Sequence, residues 1–531
     1  MADERKNRIK EILGEIPWTA EIYWLVHRND YPSNVRYTLS QLKAVLPETL
    51  EVVRRERNHA APGKKIFLFA SMHYWLEHIS MIGLALAGQG HNVTLGYYPY
   101  AKWNIPQSKF DIRRQSIYTR DVFRPAVSLM KFIDLFHHKI NSVSLPEEIK
   151  NAINQVTAYD YMYNFQTDSI DTNNVFYNFR LERNTLAANT LYSYLTSNRP
   201  DSVIVPNGTV MEMGIAYQIC RYLKIPVVTY EFGEQKQKIW LAQNDEIMRQ
   251  NTDNLWKKNG SEKLTEAQMK RVQTLFTSRK TASLVENFSR KWQQVSSEGA
   301  SKTKKRLGLD ERPVILLATN VLGDSLTLGR QVFSKSMTEW IIRTIQYFIE
   351  CHDVQLVVRI HPGEALVKNG SIYDEIQHML PQLPSHIHVI GPKENVNTYD
   401  VMEFVDYGLV YTTTVGLELA MNGIRVEVAG QTHYRNRGFT NDPVSWVDYF
   451  KNLNIFRANP KKNRLTQRQI KLAWKYAYLF FYEYSQPFPW HMFFRGEDFD
   501  LNSMKYVFSA EGKRKYGQAF DYLTFKRKTE S

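Results

Sequence analysis

The sequence predicts an α/β protein of two doubly wound domains facing a central cleft, with a helical segment at its C-terminal end. Two series of short apolar runs, each run followed by an amphipathic stretch, are separated by a Ser-, Gly- and Lys-rich joint. At 531 residues the chain also exceeds what one hydrophobic core normally serves. Hydrophobic residues at 43% and charged residues at 23%, with no low-complexity block, exclude disorder as the organising state.

Residues 1–60 read as short helices with polar faces, an N-terminal extension. In KKIFLFASMHYWLEHISMIGLALAGQGHNVTLGYY, Ile66 to Ala70 is the continuous apolar run of a strand covered on both faces. Trp75, Ile79, Ile82 and Leu86 follow at helical spacing, Gly88 and Gly90 close that helix, and Val93 to Tyr97 begins the next strand. SVIVPNGTVMEMGIAYQICRYLKIPVVTYEFGE repeats the pattern through a Pro-Asn-Gly turn, and residues 103–200 between the two read as mostly helical. Residues 61–295 thus make a first domain, and 296–312, within SSEGASKTKKRLGLDERP, a linker. The second domain spans 313–455, with PVILLATN, VQLVVRIHP, HIHVIG, YGLVYTTT and RVEVAG as strands. Residues 456–531 are expected as helices packing back across the domains. Within them, TQRQIKLAWKYAYLFFYEYS sets Ile470, Trp474, Ala477, Phe481 and Tyr484 on one side of a helix, which suits either core packing or an anionic membrane surface.

Charge narrows the partner classes. Lys and Arg outnumber Asp and Glu by 68 to 54, a formal +14 that favours acidic partners. The basic residues are spread along the chain and no nucleic-acid-binding signature is present, so nucleic acid is not expected. Cys220 and Cys351 both lie in apolar stretches, as buried thiols of a reducing cytoplasm do. The opening MADERKNRIKEILGEIPW carries charges where a signal peptide needs its apolar centre, and no window reaches the ~20 apolar residues that cross a bilayer. The expected location is cytoplasmic, with peripheral contact at the inner face of the cell membrane.

Ligands of doubly wound sheets sit at the carboxyl ends of the strands. There, VVRIHPGE delivers Arg359 and His361, two residues apart and on the same side of an extended chain, and Pro362 stops the ladder. Both side chains can donate to a phosphate oxygen. Thr412, Thr413 and Thr414 lie between a strand and a helix whose first N–H groups are unpaired, and Gly416 allows close approach. Glu418, one turn on, is placed to meet a ribose diol. His433, Tyr434, Arg435 and Arg437 follow the last strand, and Asp324 and Ser325 follow the first.

RIHPGE, NVNTYDVMEFVDYGLVYTTTVGLELAMNGIRVEVAG and HYRNRGFTNDP, in this order between about residues 313 and 445, resemble the capsule polysaccharide biosynthesis family, bacterial proteins of GT-B type that build surface glycans. The resemblance implies a glycosyltransferase whose second domain binds a nucleotide-sugar, often CMP-linked in related transferases, and whose acceptor is a lipid-linked or polymeric surface glycan. His361 and Pro362 are similar to the element that lies near the donor nucleotide, and Thr412 to Thr414 to the one that holds its phosphate. In such chemistry negative charge grows on the leaving phosphate, and Arg359, His361 and Arg435 are the expected stabilisers. The scheme requires no metal and no cofactor beyond the nucleotide-sugar. The acceptor base is expected from the first domain, with Glu212 and His73 ahead of Glu77, His78, Glu231 and Glu234. The residues leave other readings open: a CDP-polyol phosphotransferase of teichoic-acid type, a sugar-nucleotide epimerase, a non-catalytic glycan-assembly scaffold, and an RNA-binding protein.

Overall fold

The structure is a computed structural model that describes residues 2–27, 37–138, 144–233, 235–281, 295–366, 371–491 and 502–526, with side chains from residue 8 onward. The chain divides into two compact units: Met1–Asp160, Asp171–Met248 and Gln486–Ser531 form the first, Tyr161–Ile170 and Arg249–Ser485 the second.

The first unit opens with α1 (Ala2–Glu15), α2 (Thr19–His27) and α3 (Ser40–His59). The inner face of α3, through Leu42, Leu46, Leu50 and Val53, is buried, so residues 40–59 belong to the body of this unit instead of a leading extension. Then follow β1 (Lys65–Ser71), α4 (His73–Gly88), β2 (Asn92–Tyr98), α5 (Lys109–Phe123), β3 (Met130–Asp134), α6 (Glu147–Phe165), α7 (Val175–Asn198), β4 (Ser202–Pro206), α8 (Met211–Tyr222), β5 (Val227–Glu231) and β6 (Lys238–Gln243). The sheet runs Gln486–Pro487, β6, β5, β4, β1, β2, β3, with β1 parallel to both β2 and β4. Every residue of β1 after Lys65 is buried, as strand and helix cover demand of an unbroken apolar run. Gly90 (φ 93) turns the chain out of α4, where a Cβ would meet the Ala61 carbonyl at 2.1 Å. The weak periodicity of residues 103–200 concealed β3, an edge strand of five residues.

The second unit contains α9 (Asp253–Asn259), α10 (Glu266–Lys280), α11 (Ala300–Arg306), β7 (Val314–Ala318), α12 (Met337–Ile349), β8 (Gln355–Arg359), α13 (Ile372–Met379), β9 (Ile387–Ile390), α14 (Thr398–Met402), β10 (Tyr407–Val410), α15 (Val415–Met421), β11 (Arg425–Val428), α16 (Trp446–Ala458) and α17 (Gln467–Tyr478). Its sheet is parallel throughout, in the order β11, β10, β7, β8, β9. Trp340, Ile341, Ile345 and Phe348 of α12 pack with Leu317, Leu356, Val358, Leu409 and Tyr449 into one core.

Both units are α/β with parallel strands, in agreement with the expected class, but the division differs from the expected boundaries. The first unit's chain passes to the second after Met248, and the stretch assigned to a linker at 296–312 carries α11. Its entry is fastened to α14: Ser297 Oγ donates to Asp400 at 2.5 Å and Glu298 N at 2.9 Å. Ser and Gly here serve a buried acceptor, which composition alone reads as flexibility.

The chain after α17 continues through a π-helical turn, Leu479–Tyr484. Ala473, Tyr476, Ala477, Phe480 and Phe481 are buried, and Trp474 Nε1 donates to the Met421 carbonyl at 3.0 Å. The aromatic side is therefore core, and membrane docking through it is withdrawn. Among the described residues no helix is long and apolar enough to cross a membrane.

Candidate functional site

In each sheet the first strand is central, and the direction of winding reverses beside it, between β1 and β4 in one unit and between β7 and β10 in the other. Such a switch point leaves a crevice at the carboxyl ends of the strands, because the flanking connections leave on opposite faces.

In the second unit a hydrogen bond spans that crevice: Thr412 N, past β10, donates to Asn320 Oδ1, past β7, at 3.1 Å. The Thr412 hydroxyl is buried and has no hydrogen-bond partner among the described residues. Thr319 Oγ1 accepts from His361 N at 2.9 Å, and His361 Nδ1 accepts from Gly363 N at 3.0 Å, which places the neutral ring's proton on Nε2. Pro362 opens a 3-10 turn, Pro362–Leu366, so the strand stops at the half-buried imidazole. Thr413 Oγ1 accepts from Val415 N at 3.4 Å, and Thr414 is half-buried at the start of α15. His361, Pro362 and Thr412 to Thr414 thus stay at this edge, joined by Asn320. Sequence reading passed over Asn320, whose signal was its position two residues beyond the first apolar run.

Several expected ligands are occupied elsewhere. Arg359 is 2% exposed, and its guanidinium donates to the carbonyls of Gly391 at 2.8 Å and Val396 at 3.0 Å. Burial lowers its pKa to about 10. Its fork holds the turn after β9 and does not face the crevice. Glu418 is buried against Arg279 of α10 at 2.7 Å, which removes it from any ribose. Gly416 makes room for protein: a Cβ there would lie 2.5 Å from the Tyr434 hydroxyl, which donates to the Thr413 carbonyl at 2.6 Å. His433 stacks on Phe480 at 3.9 Å, and burial drives its pKa down to about 3. Arg435 is buried and donates to the carbonyls of Val428 and Pro443. These four residues brace the loop after β11. Asp324 Oδ1 accepts from Leu326 N at 2.8 Å, and Arg437 pairs with Asp253 at 2.5 Å.

In the first unit, Glu212 lies at the switch point as expected but cannot serve as a base. It is 1% exposed; Arg180 Nη2 donates to its Oε1 at 3.0 Å, Ser71 Oγ to its Oε2 at 3.4 Å, and the Tyr100 hydroxyl also donates to Oε2. Arg180 further bonds Asp160 Oδ2 at 3.0 Å, Asn184 Oδ1 at 3.1 Å and the Trp103 carbonyl at 3.1 Å. Burial raises the Asp160 pKa, which the Arg180 charge only partly offsets. At Glu212 burial acts in the same sense, yet the guanidinium and the Tyr100 hydroxyl outweigh it and lower the pKa. The network ties α6, α7 and α8 together.

His73 begins α4 and is half-buried; its Nδ1 is buried with no hydrogen-bond partner among the described residues, and burial lowers its pKa, which favours the neutral ring. Met72 before it holds φ 66 and ψ 147, a region that is essentially glycine's, at the end of β1. Asn207, also at positive φ (56), bonds Glu231 Oε2 at 3.0 Å. Glu77 accepts from Leu42 N at 3.1 Å with its pKa raised by burial to about 7, and His78 is wholly buried between the Tyr230 hydroxyl and the Trp490 carbonyl. Glu234 lies outside the described residues. Among the described residues no group of His, Cys, Asp and Glu is arranged to hold a metal ion.

No family model matches the chain, and no curated protein matches it. Among solved structures it is similar to the beta Kdo 2,4 transferase KpsC of Thermosulfurimonas dismutans, at 15% identity over 52% of this chain and 78% of that one, with a TM-score of 0.34. It is similar to UDP-GlcNAc 2-epimerase of Neisseria meningitidis bound to UDP-GlcNAc, at 13% identity over 79% and 99% of the two chains, with a TM-score of 0.27. A third similarity is to the glycosyltransferase SsfS6 of Streptomyces sp. SF2575 complexed with thymidine diphosphate, at 10% identity over 78% and 95%, with a TM-score of 0.23. The fold assignment rests on the strand order of the two sheets.

Proposed function

We propose that the chain is a GT-B-type glycosyltransferase that moves a sugar from a nucleotide-sugar to a lipid-linked or polymeric surface glycan in the cytoplasm, without a metal. The observation that carries this reading is the Thr412–Asn320 bond across the second unit's switch point, beside which the unpartnered Thr412 hydroxyl and the His361 ring lie on one edge. Hydroxyl and imidazole donors suit a phosphate, whose charge grows as the glycosidic bond breaks. Thr413 and Thr414 complete the phosphate group's surroundings. His73, neutral and held at the first unit's switch point, is the group assigned to take the acceptor proton.

Calorimetry of the full chain against CMP, CDP, UDP, GDP and ADP tests the donor site. One nucleotide should bind saturably, and His361→Ala and Thr412→Val should each weaken it at least tenfold, about the 1.5 to 3 kcal/mol of a hydrogen bond to a charged group. No binding by any of the five in folded protein would sink the donor reading. With the bound nucleotide's sugar conjugate, free nucleotide diphosphate or monophosphate released with a glycosylated acceptor supports transfer, whereas an extended polyol-phosphate product would replace it with phosphotransfer.

A further inference from the structure

We infer that the amino-terminal end of the first unit's sheet, where β1, β2 and β3 meet the end of α7, holds a small molecule that carries a phosphate or carboxylate beside hydroxyl groups. The crevice there has a volume of about 230 Å³, room for roughly eight waters at ~30 Å³ each. It suits a single charged sugar or polyol and falls below the ~300 Å³ at which pockets for larger ligands begin. His73 and the carboxyl edge lie about 20 Å away at the other end of β1. The inference therefore stands whether or not the transfer reading does.

Three strands bring polar residues to one face. Phe67 of β1 is in register with Thr94 of β2, and Thr94 with Lys131 of β3; two residues earlier, Lys65 is in register with Asn92. Residues two apart on a strand share a face, and Lys65, Asn92, Thr94 and Lys131 all line the crevice. Lys131 is the direct neighbour of Thr94 and Lys65 its diagonal one, ~5 Å and ~8 Å away between backbones, so each lysine is long enough to reach the space over Thr94 from its own side. Neither ammonium makes a hydrogen bond or ion pair among the described residues, and the Asn92 side chain makes no hydrogen bond among them. Strands covered on both faces are apolar runs, so Asn92 and Thr94 under a helix depart from what packing alone asks.

Packing keeps the space open. The Phe67 ring lies over Gly96, where a Cβ would come within 2.5 Å of it, and tilts against Tyr194 of α7 at 5.0 Å. Tyr194 is buried and hydrogen-bonded to Thr94, and Asn198 Nδ2, one turn on, donates to the Tyr194 carbonyl at 3.1 Å. A purely structural role would set the two lysines against the C-terminal end of α7, which carries about half a negative charge. Two ammonium groups exceed that charge about fourfold. Asp201, the carboxylate beside Lys65, is engaged by Lys65 N at 2.7 Å and does not line the crevice. The surplus positive charge suits an oxyanion, and the hydroxyl and amide groups around it suit a polyol.

Titration calorimetry of the full-length protein with glucose 1-phosphate, glucuronate and neutral methyl glucoside tests the crevice. At least one anionic probe should bind ten times more tightly than the glucoside, and the tighter of the two tells whether phosphate or carboxylate is recognised. Lys65→Ala and Lys131→Ala, both at exposed positions, should each weaken that probe at least fivefold. Lys43→Ala, at an exposed position of α3, should leave it unchanged. Thr94→Leu, which fills the space without altering a charge, should abolish the preference. Equal affinity for neutral and anionic probes, no binding at millimolar concentration, an equal loss with Lys43→Ala, or a preference that survives both lysine substitutions would overturn the inference. So would a preference lost in His361→Ala and kept in the lysine variants, which would put the probe in the donor crevice. Absence of nucleotide binding with the anionic preference intact would instead overturn the donor reading alone.

Discussion

Glu364 shows what a single residue of the RIHPGE stretch costs the fold. It is 4% exposed; Oε2 accepts from Ile372 N at 3.1 Å, and burial, opposed by backbone hydrogen bonds from Ile372 and Leu322, raises the pKa to about 8. Its folded pKa exceeds its unfolded value, so its contribution is intact below about pH 4.5 and is lost as pH rises through about 8. Across that window the unfolded chain gives up a proton that the native state keeps. Glu364→Gln should therefore match the wild type near pH 4.5 and exceed it by on the order of 4 kcal/mol near pH 8. Urea midpoints at the two pH values check this; parallel curves would mean that the carboxyl ionises freely. Arg359 marks the limit of legibility at the same scale. Strand alternation placed it at the correct edge, but the carbonyls of Gly391 and Val396 that take its fork come from a distant turn that no local pattern reveals. His361 and the three threonines were legible because strand ends, proline and β-to-helix junctions are local features.

Between elements, the Arg180 network does the joining that sequence periodicity left vague in residues 103–200. Asp160 lies on α6, Arg180 and Asn184 on α7, and Glu212 on α8, all four residues at most 1% exposed. Removing the cation leaves two buried carboxylates facing each other, so Arg180→Leu should cost about 3 to 5 kcal/mol at neutral pH. In the variant both carboxyls titrate above their unfolded values, so the deficit should shrink as pH falls toward 4. Chemical denaturation at pH 5 and pH 7.5 separates this from a packing defect, which would be equal at both. The apolar strands themselves were legible because coverage on both faces demands unbroken hydrophobic runs, as in β1, β7 and β8. The joint at 296–312 was misread because a helix start and a flexible linker share Ser and Gly.

For the whole molecule, two doubly wound units were readable from the recurrence of strand and helix patterns, whereas their boundary was not, since the second unit takes Tyr161–Ile170 besides Arg249–Ser485 and the first is closed by the residues after Ser485. Termination after Ser485 should leave the second unit resistant to limited proteolysis while the first becomes protease-sensitive. Equal resistance of both would show that the final segment is dispensable.

The pairing of Gln486 with Ile239 at the edge of the first sheet sets an order for biosynthesis. On the ribosome the second unit has its full complement of strands before the first does, although it is translated later. The earlier unit must wait with β6 as an open edge until the last of these segments emerges, so chaperone dependence during synthesis should fall on the half of the protein that is made first.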